Sequence, residues 1–96
     1  MNVTPGTTRI TADGIVGVQN QPFRVYAVSL ISGGTASTLT LRNGPLVTST
    51  IQEQVDGVAS QAVTKNYAGG LLFPAGLFAD VDANISFADI VGTTEF

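Results

Sequence analysis

Glycine spacing constrains the fold of this chain more than any other feature of its sequence. Eleven glycines divide the 96 residues into short segments. Helices of ordinary length hardly fit between these breaks, whereas strands of about five or six residues fit well. The spacing therefore predicts an all-β domain. The glycines lie at positions 6, 14, 17, 33, 34, 44, 57, 69, 70, 76 and 92.

Hydrophobic alternation within the segments also indicates strands. In "TLTLR", Leu39 and Leu41 alternate with polar residues, which is the period-two pattern of a half-buried strand. The stretch "FRVYAVSLI" is apolar at both parities from Val25 onward, as expected of a central strand covered on both faces. Further along, "TSTIQEQVDG" places Ile51 and Val55 on one side and ends in a hairpin signal.

One segment allows two interpretations. "VASQAVTKNY" carries Ala59, Val63 and Tyr67 at helical i, i+4, i+8 spacing. It also echoes an earlier segment, because "GTASTLTLRN" and "GVASQAVTKN" share glycine, Ala-Ser and a basic residue followed by Asn at equal offsets. This internal echo favours a strand over a helix.

Together these patterns predict a two-sheet β-sandwich of jelly-roll or Greek-key type with about eight short strands. Residues 22–96 are expected to form this domain. The predicted core consists of Val25, Tyr26, Val28, Leu30, Leu39, Leu41, Ile51, Val63, Leu77, Val81, Ile85 and Phe87.

Residues 1–21 are predicted to be either an N-terminal arm or the first strands. The segment is rich in Thr and Gly, and its few apolar residues, among them Ile10 and Val16, are too sparse to build a core by themselves. An extended arm can add to a neighbour's sheet edge. We therefore expect contacts with another chain to order much of this segment.

The low charge of the chain indicates what it binds. Charged residues make up 11% of the sequence, against roughly 25% in an average soluble domain. Such a surface is easily desolvated, so we expect much of it to be buried against copies of the chain or a larger assembly. With a formal charge of −3 and four basic side chains, nucleic-acid binding is disfavoured. The basic residues are Arg9, Arg24, Arg42 and Lys65.

The sequence predicts neither a membrane span nor redox chemistry. Its start lacks a secretory pattern, and its longest apolar stretch is far below the about 20 residues that cross a bilayer. Synthesis in a cytoplasm is therefore expected. Cys, His and Trp are all missing, which excludes disulfides, thiolate nucleophiles and soft-metal ligands. No cofactor is predicted.

Acidic residues are concentrated near the C-terminus, in "LFADVDANISF". Leu77 and Ala79 share one parity while Asp80 and Asp82 share the other, so a strand would place the acids on the face away from the core. Two such carboxylates lie roughly 6.5 to 7 Å apart, near the lower limit for an inverting glycosidase pair. Nothing in the sequence makes one an acid and the other a base, so no enzymatic activity is expected.

The same acids also resemble part of a calcium loop. Asp80, Asp82 and Asn84 match its positions 1, 3 and 5. However, Ile85 stands where the loop needs Gly, and Val91 where it needs a bidentate Glu. At most a weak metal site, completed by a neighbouring chain, is compatible with this pattern. Two aromatic residues, Tyr67 and Phe78, are instead candidates for a partner interface or a sugar.

Much of the chain resembles the small β-sandwich structural proteins of tailed bacteriophages, particularly those of cyanobacterial and marine phages. The resemblance rests on "YAVSLISGGTASTLTLRNG", a "QVDG" turn and "FPAGLFADVDANISFADIV". It implies a virion component without catalytic residues, such as a capsid decoration (cement) protein or a head-fibre or tail module. It also implies a homo-oligomer, often a trimer, bound to the major capsid protein or another virion protein. The alternative is a carbohydrate- or receptor-binding module of a fibre or tail.

Overall fold

Residues 6–95 fold into eight antiparallel strands arranged in two four-stranded sheets. These elements are seen in a computed structural model, which describes residues 6–95. No helix occurs within those residues. The strands are β1 (Gly6–Ile10), β2 (Gly14–Val16), β3 (Phe23–Ser32), β4 (Thr38–Asn43), β5 (Thr50–Asp56), β6 (Ala62–Phe73), β7 (Leu77–Val81) and β8 (Ile85–Thr94).

The strand order identifies the sandwich as a jelly roll. Sheet 1 has the order β1-β8-β3-β6, and sheet 2 has the order β2-β7-β4-β5. Every connection except that between β4 and β5 crosses from one sheet to the other. This is the double Greek-key arrangement of eight strands that defines the jelly roll. The predicted fold class is confirmed, and of the two predicted topologies the chain adopts the first.

The core lies between the sheets, and half of the predicted core residues are fully buried in it: Val25, Val28, Leu30, Leu39, Leu41 and Leu77. Three more, Val63, Val81 and Ile85, are partly buried and pack against this core. Other core residues were not predicted from the sequence: Ile10, Val16, Phe23, Val55, Phe73, Ala79, Ala88 and Ile90.

The prediction was wrong for Tyr26, Ile51 and Phe87, and register shifts explain all three. Tyr26 sits at the shift in β3 between Val25 and Ala27, where the inward parity changes. In β5, a shift next to Ile51 turns its side chain to the outer face, where it is exposed. A third register shift lies in β8, between the residues that pair with Ile31 and with Ser32, so Phe87 faces outward. The Arg9 guanidinium lies over the Phe87 ring, with its Cζ atom 4.0 Å from the ring centroid.

Residues 58–61 of the ambiguous segment form a loop, and its remainder, residues 62–67, is a strand, as its echo predicted. It begins β6, the longest strand, and "AGG" belongs to that strand rather than to a turn. Gly69 and Gly70 have positive φ angles of 76° and 86°. In the pairing of β3 with β6, residues 67–70 of β6 lie opposite the single residue Tyr26 of β3. The extra residues of β6 form a bulge, and the two glycines adopt the positive φ angles that it contains.

Near the N-terminus, the described residues form first strands rather than an arm. β1 pairs with β8 and β2 pairs with β7. Ile10 and Val16 are buried in the chain's own core. The expectation that contacts with another chain order this segment is therefore wrong for residues 6–16. Residues 1–5 lie outside the described part of the chain.

The loops lie at two opposite ends of the sandwich. Residues 17–22, 44–49 and 74–76 connect strands at one end, where a hydrogen bond from Gly44 N to Gly76 O joins two of the loops. Residues 11–13, 33–37, 57–61 and 82–84 connect strands at the other end. There, hydrogen bonds run from Gly33 N to Asn84 O and from Ser60 N to Gly33 O.

Candidate interaction surface

A row of side chains crosses all four strands on the outer face of sheet 2. Ile15 of β2 pairs with Phe78 of β7. Arg42 of β4 pairs with Phe78 on one side and with Ile51 of β5 on the other. Residues directly opposite one another share a face of the sheet. The row faces outward because its neighbours along β2, β4 and β7, Val16, Leu41 and Leu77, are core residues. Three strand spacings make the row roughly 15 Å long.

The positive charge in this row is neutralised within the chain. Arg42 donates hydrogen bonds from Nε and Nη2 to Oδ2 of Asp80, at 3.2 and 3.0 Å, and from Nη1 to the carbonyl oxygen of Ser49, at 3.0 Å. Both charged side chains are less than a quarter exposed. The row therefore presents Ile15, Phe78 and Ile51 around a paired guanidinium, with no free charge.

Large apolar side chains are also exposed on the adjoining loops. Val18 lies between β2 and β3, and Leu46 and Val47 lie between β4 and β5. Leu46 is 59% exposed, more than any other large apolar residue described. These loops are at the end of the sandwich nearest the row. We call the row and these loop residues the apolar half: Ile15, Val18, Leu46, Val47, Ile51 and Phe78.

The opposite end of the sandwich carries the excess negative charge. Each of the four basic side chains pairs with an acid: Arg9 with Asp89, Arg24 with Glu95, Arg42 with Asp80 and Lys65 with Glu53. Three carboxylates remain without a basic partner among residues 6–95, which accounts for the formal charge of −3. They are Asp13, Asp56 and Asp82, which we call the acidic end.

The acidic end is held by local hydrogen bonds. Asp82 accepts from the backbone amides of Thr38 and Asn84, and Asp56 accepts from the Thr38 hydroxyl. Asp13 accepts from the amide of Val81. These carboxylates therefore anchor loops and strand ends while they expose their charge.

The structure does not bring the calcium-like residues together. Asp80 faces Arg42 on the sheet, whereas Asp82 and Asn84 belong to the turn after β7 and bond to each other. In the described part of the chain, no three acidic side chains are placed so that they could hold a metal ion. Pairing with Arg42 also occupies the Asp80 carboxylate.

The two aromatic candidates lie in different environments. Phe78 is half-buried on the outer face of sheet 2, in the row described above. Tyr67 packs against the core, and its hydroxyl is buried without a hydrogen-bond partner. Burial, followed by the nearby negative charge of Glu53, raises the pKa of Tyr67. Phe78 is therefore the one of the two that the outer surface presents.

Polar contacts connect the edge strands β5 and β6. Lys65 Nζ donates to Glu53 Oε2 at 3.0 Å, and Gln52 Nε2 donates to the Leu72 carbonyl. Partial burial alone would raise the pKa of Glu53, but the hydrogen bonds from Lys65 and from the Gln54 amide outweigh burial and lower it. On the other side of the sandwich, residues 8–12 and 14–16 line a shallow cleft of about 260 Å³ between β1 and β2.

In the sequence, Phe78 was a candidate for an interface, whereas the other residues of the apolar half were not. Leu46 and Val47 belong to "GPLVTS", which its Gly and Pro mark as a turn, although it contains two adjacent large apolar residues. Such a pair inside a turn sequence is a signal that could have been used. Ile51 was assigned to the core, and no sequence pattern marks the register shift that exposes it.

Comparisons with protein-family models, with curated proteins and with solved structures find no match to the chain. Among residues 6–95 there is no helix long and apolar enough to cross a membrane.

Proposed function

We propose that this chain is a structural protein of a bacteriophage virion, a capsid decoration protein that acts as a homotrimer. Its partners are other copies of itself and the major capsid protein or another virion protein. It is made in the host cytoplasm and resides in the virion. The proposal involves no catalytic step, cofactor, nucleic acid or membrane.

The apolar half is the observation that carries this proposal. Monomeric soluble proteins rarely expose large contiguous apolar patches, and such patches mark interaction sites. Here five of the six large hydrophobic residues with the highest exposure lie on one half of the sandwich: Ile15, Val18, Leu46, Val47 and Ile51. Ion pairs within the chain already neutralise all four basic side chains. Burial of these apolar side chains against another protein surface lowers the free energy, because it removes them from water without desolvating an unpaired basic group.

The fold is compatible with this function. Jelly rolls build viral capsid proteins, and they also build lectins and cupins. The resemblance to phage structural proteins favours the first of these classes. The sequence has little charge to keep a free monomer soluble, which also favours life within an assembly.

Reconstitution onto virus particles tests the proposed function. Particles of the phage that encodes the chain are prepared with and without its gene, and purified protein is added to the particles that lack it. We expect saturable binding at a fixed number of copies per particle, and greater resistance of the particles to heat. Absence of the chain from wild-type particles, together with no binding to the deficient ones, would overturn the proposal.

A second candidate function rests on the position of Phe78. An aromatic ring on an outer surface, flanked by polar groups, is the usual arrangement of a sugar site, and the half-buried Phe78 lies on the same face as Arg42 and Asp80. Their hydrogen-bonding groups are largely used by each other, which makes this candidate the weaker one. A glycan array distinguishes the two. Saturable glycan binding that Phe78→Ala abolishes would favour a receptor-binding module over a decoration protein.

A further inference from the structure

We propose that copies of this chain associate through the apolar half while their acidic ends diverge into solvent. This inference rests on the proposed homo-oligomeric function and adds the surface and the orientation of the subunits. Both follow from one feature of the described residues, the separation of apolar and acidic groups along the strands.

The partner that fits the apolar half is a second copy of the chain. A nucleic acid or a strongly charged peptide would need free charges of opposite sign, and the apolar half has none, because Arg42 is paired with Asp80. A second copy presents the same uncharged side chains. Large apolar residues at the centre of an interface, with few free charges, are typical of association between identical subunits.

The charge distribution also determines the orientation. Between copies whose strands run in the same direction, as around a three-fold axis parallel to the strands, contact along the whole of sheet 2 would bring Asp56 and Asp82 of one copy towards those of the next. Like charges at that distance repel, and charges that become buried lose hydration. Contact restricted to the apolar half instead leaves the acidic ends apart by more than a Debye length of about 8 Å. The copies should therefore converge at one end and spread at the other.

The size of the surface shows which residues have to take part. The molecule measures 41 by 26 by 18 Å, so its largest face is 41 by 26 Å. Half of one face is then about 500 Å², below the about 800 Å² that each partner buries in an interface of standard size. The sheet row alone is too small. The loop residues Leu46 and Val47 at the adjoining end have to contribute as well.

Substitutions with a matched control test the surface. Leu46→Asp and Ile51→Asp place a charge in the loop part and the sheet part of the apolar half. Val58→Asp is the control, because Val58 is in a loop at the opposite end and is 49% exposed, as is Ile51. Molar mass is measured by light scattering after size exclusion, and circular dichroism confirms that each variant keeps its strand signal.

We expect Leu46→Asp and Ile51→Asp to weaken association by about tenfold or more, and Val58→Asp to leave the molar mass unchanged. If Val58→Asp dissociates an oligomer that Leu46→Asp leaves intact, the assigned surface is wrong although the homo-oligomer stands. If the wild-type chain is itself a monomer, the proposed homo-oligomer is overturned, and with it the surface assigned here. Should Ile51→Asp unfold, the loop variant Leu46→Asp still decides the result.

Orientation is tested by salt and by removing charge. Two changes screen or remove the charge of the acidic ends: raising the salt concentration from about 50 to about 500 mM, and the double substitution Asp56→Asn with Asp82→Asn. If the acidic ends lie apart in the oligomer, each change should alter the association constant less than about twofold. If the acidic ends meet in the oligomer, both changes will instead strengthen association severalfold, and the proposed orientation is overturned.

Discussion

Gly92 lies where the fold leaves no room for a side chain. It faces inward in β8, opposite Val25 on one side and Gly6 on the other. A Cβ atom at this position would lie 2.5 Å from the Arg24 carbonyl oxygen and 2.5 Å from a ring carbon of Phe23. The first obstacle is backbone, which cannot turn aside as a flexible side chain can.

We therefore expect Gly92→Ala to lower the free energy of unfolding by about 1–3 kcal/mol, the usual cost of forcing extra volume into a packed core. Gly6→Ala is the matched control, because Gly6 is the β1 partner of Gly92 and a Cβ there meets nothing within 4 Å. Urea denaturation measures both. Equal losses in the two variants would contradict the close approach at Gly92.

Removing the Tyr67 hydroxyl, unlike adding a methyl group at Gly92, is not expected to lower the free energy of unfolding. It is buried without a hydrogen-bond partner, and an unpaired buried hydroxyl costs free energy. Tyr67→Phe should therefore leave the free energy of unfolding unchanged or raise it by up to about 1 kcal/mol. A clear loss of stability would show that the hydroxyl donates to Glu53 in solution.

At the scale of the elements, the sequence predicted the strands better than their register. Alternation and glycine spacing correctly indicated β3, β4 and the segment that begins β6. Period-two reasoning then assumed unbroken strands, which is why it placed Ile51 and Phe87 inside. Each lies next to a register shift, and a shift of one residue moves the following side chains to the other face. Register shifts depend on the neighbouring strand, so a single segment of sequence does not reveal them.

Ion pairs between strands make stability depend on pH. Arg9 donates to both carboxylate oxygens of Asp89, at 2.9 and 3.0 Å, and so joins β1 to β8. These hydrogen bonds lower the pKa of Asp89. A carboxyl group with a lowered pKa in the folded state stabilises the fold above its ordinary pKa of about 4, and this contribution is lost as the pH falls through the lowered value.

Thermal melting between about pH 7 and pH 2 measures this dependence. We expect the melting temperature to fall below about pH 4, and to fall less steeply in Asp89→Asn, which lacks the titrating group. Some slope remains in the variant because the pKa of Glu53 is also lowered. Identical pH profiles for the two proteins would show that the Arg9–Asp89 pair contributes nothing in solution.

At the scale of the whole molecule, composition predicted that surface would be buried but not where. The low charge and formal charge of −3 are visible in the sequence. Their arrangement is not, because the jelly-roll crossovers bring distant residues such as Ile15, Leu46 and Phe78 to the same half. The fold likewise gathers Asp13, Asp56 and Asp82 at the opposite end. The position of the candidate surface is thus determined by the topology of the fold, whereas composition alone was enough to predict that some of the surface is buried.

Self-association of the chain is tested by the molar mass of the wild-type protein in solution. Light scattering coupled to size exclusion is run over a wide range of protein concentrations. We expect a species of about three times the 9.9 kDa of one chain, which dissociates only on dilution as mass action requires. A strictly monomeric protein at high micromolar concentration would contradict it.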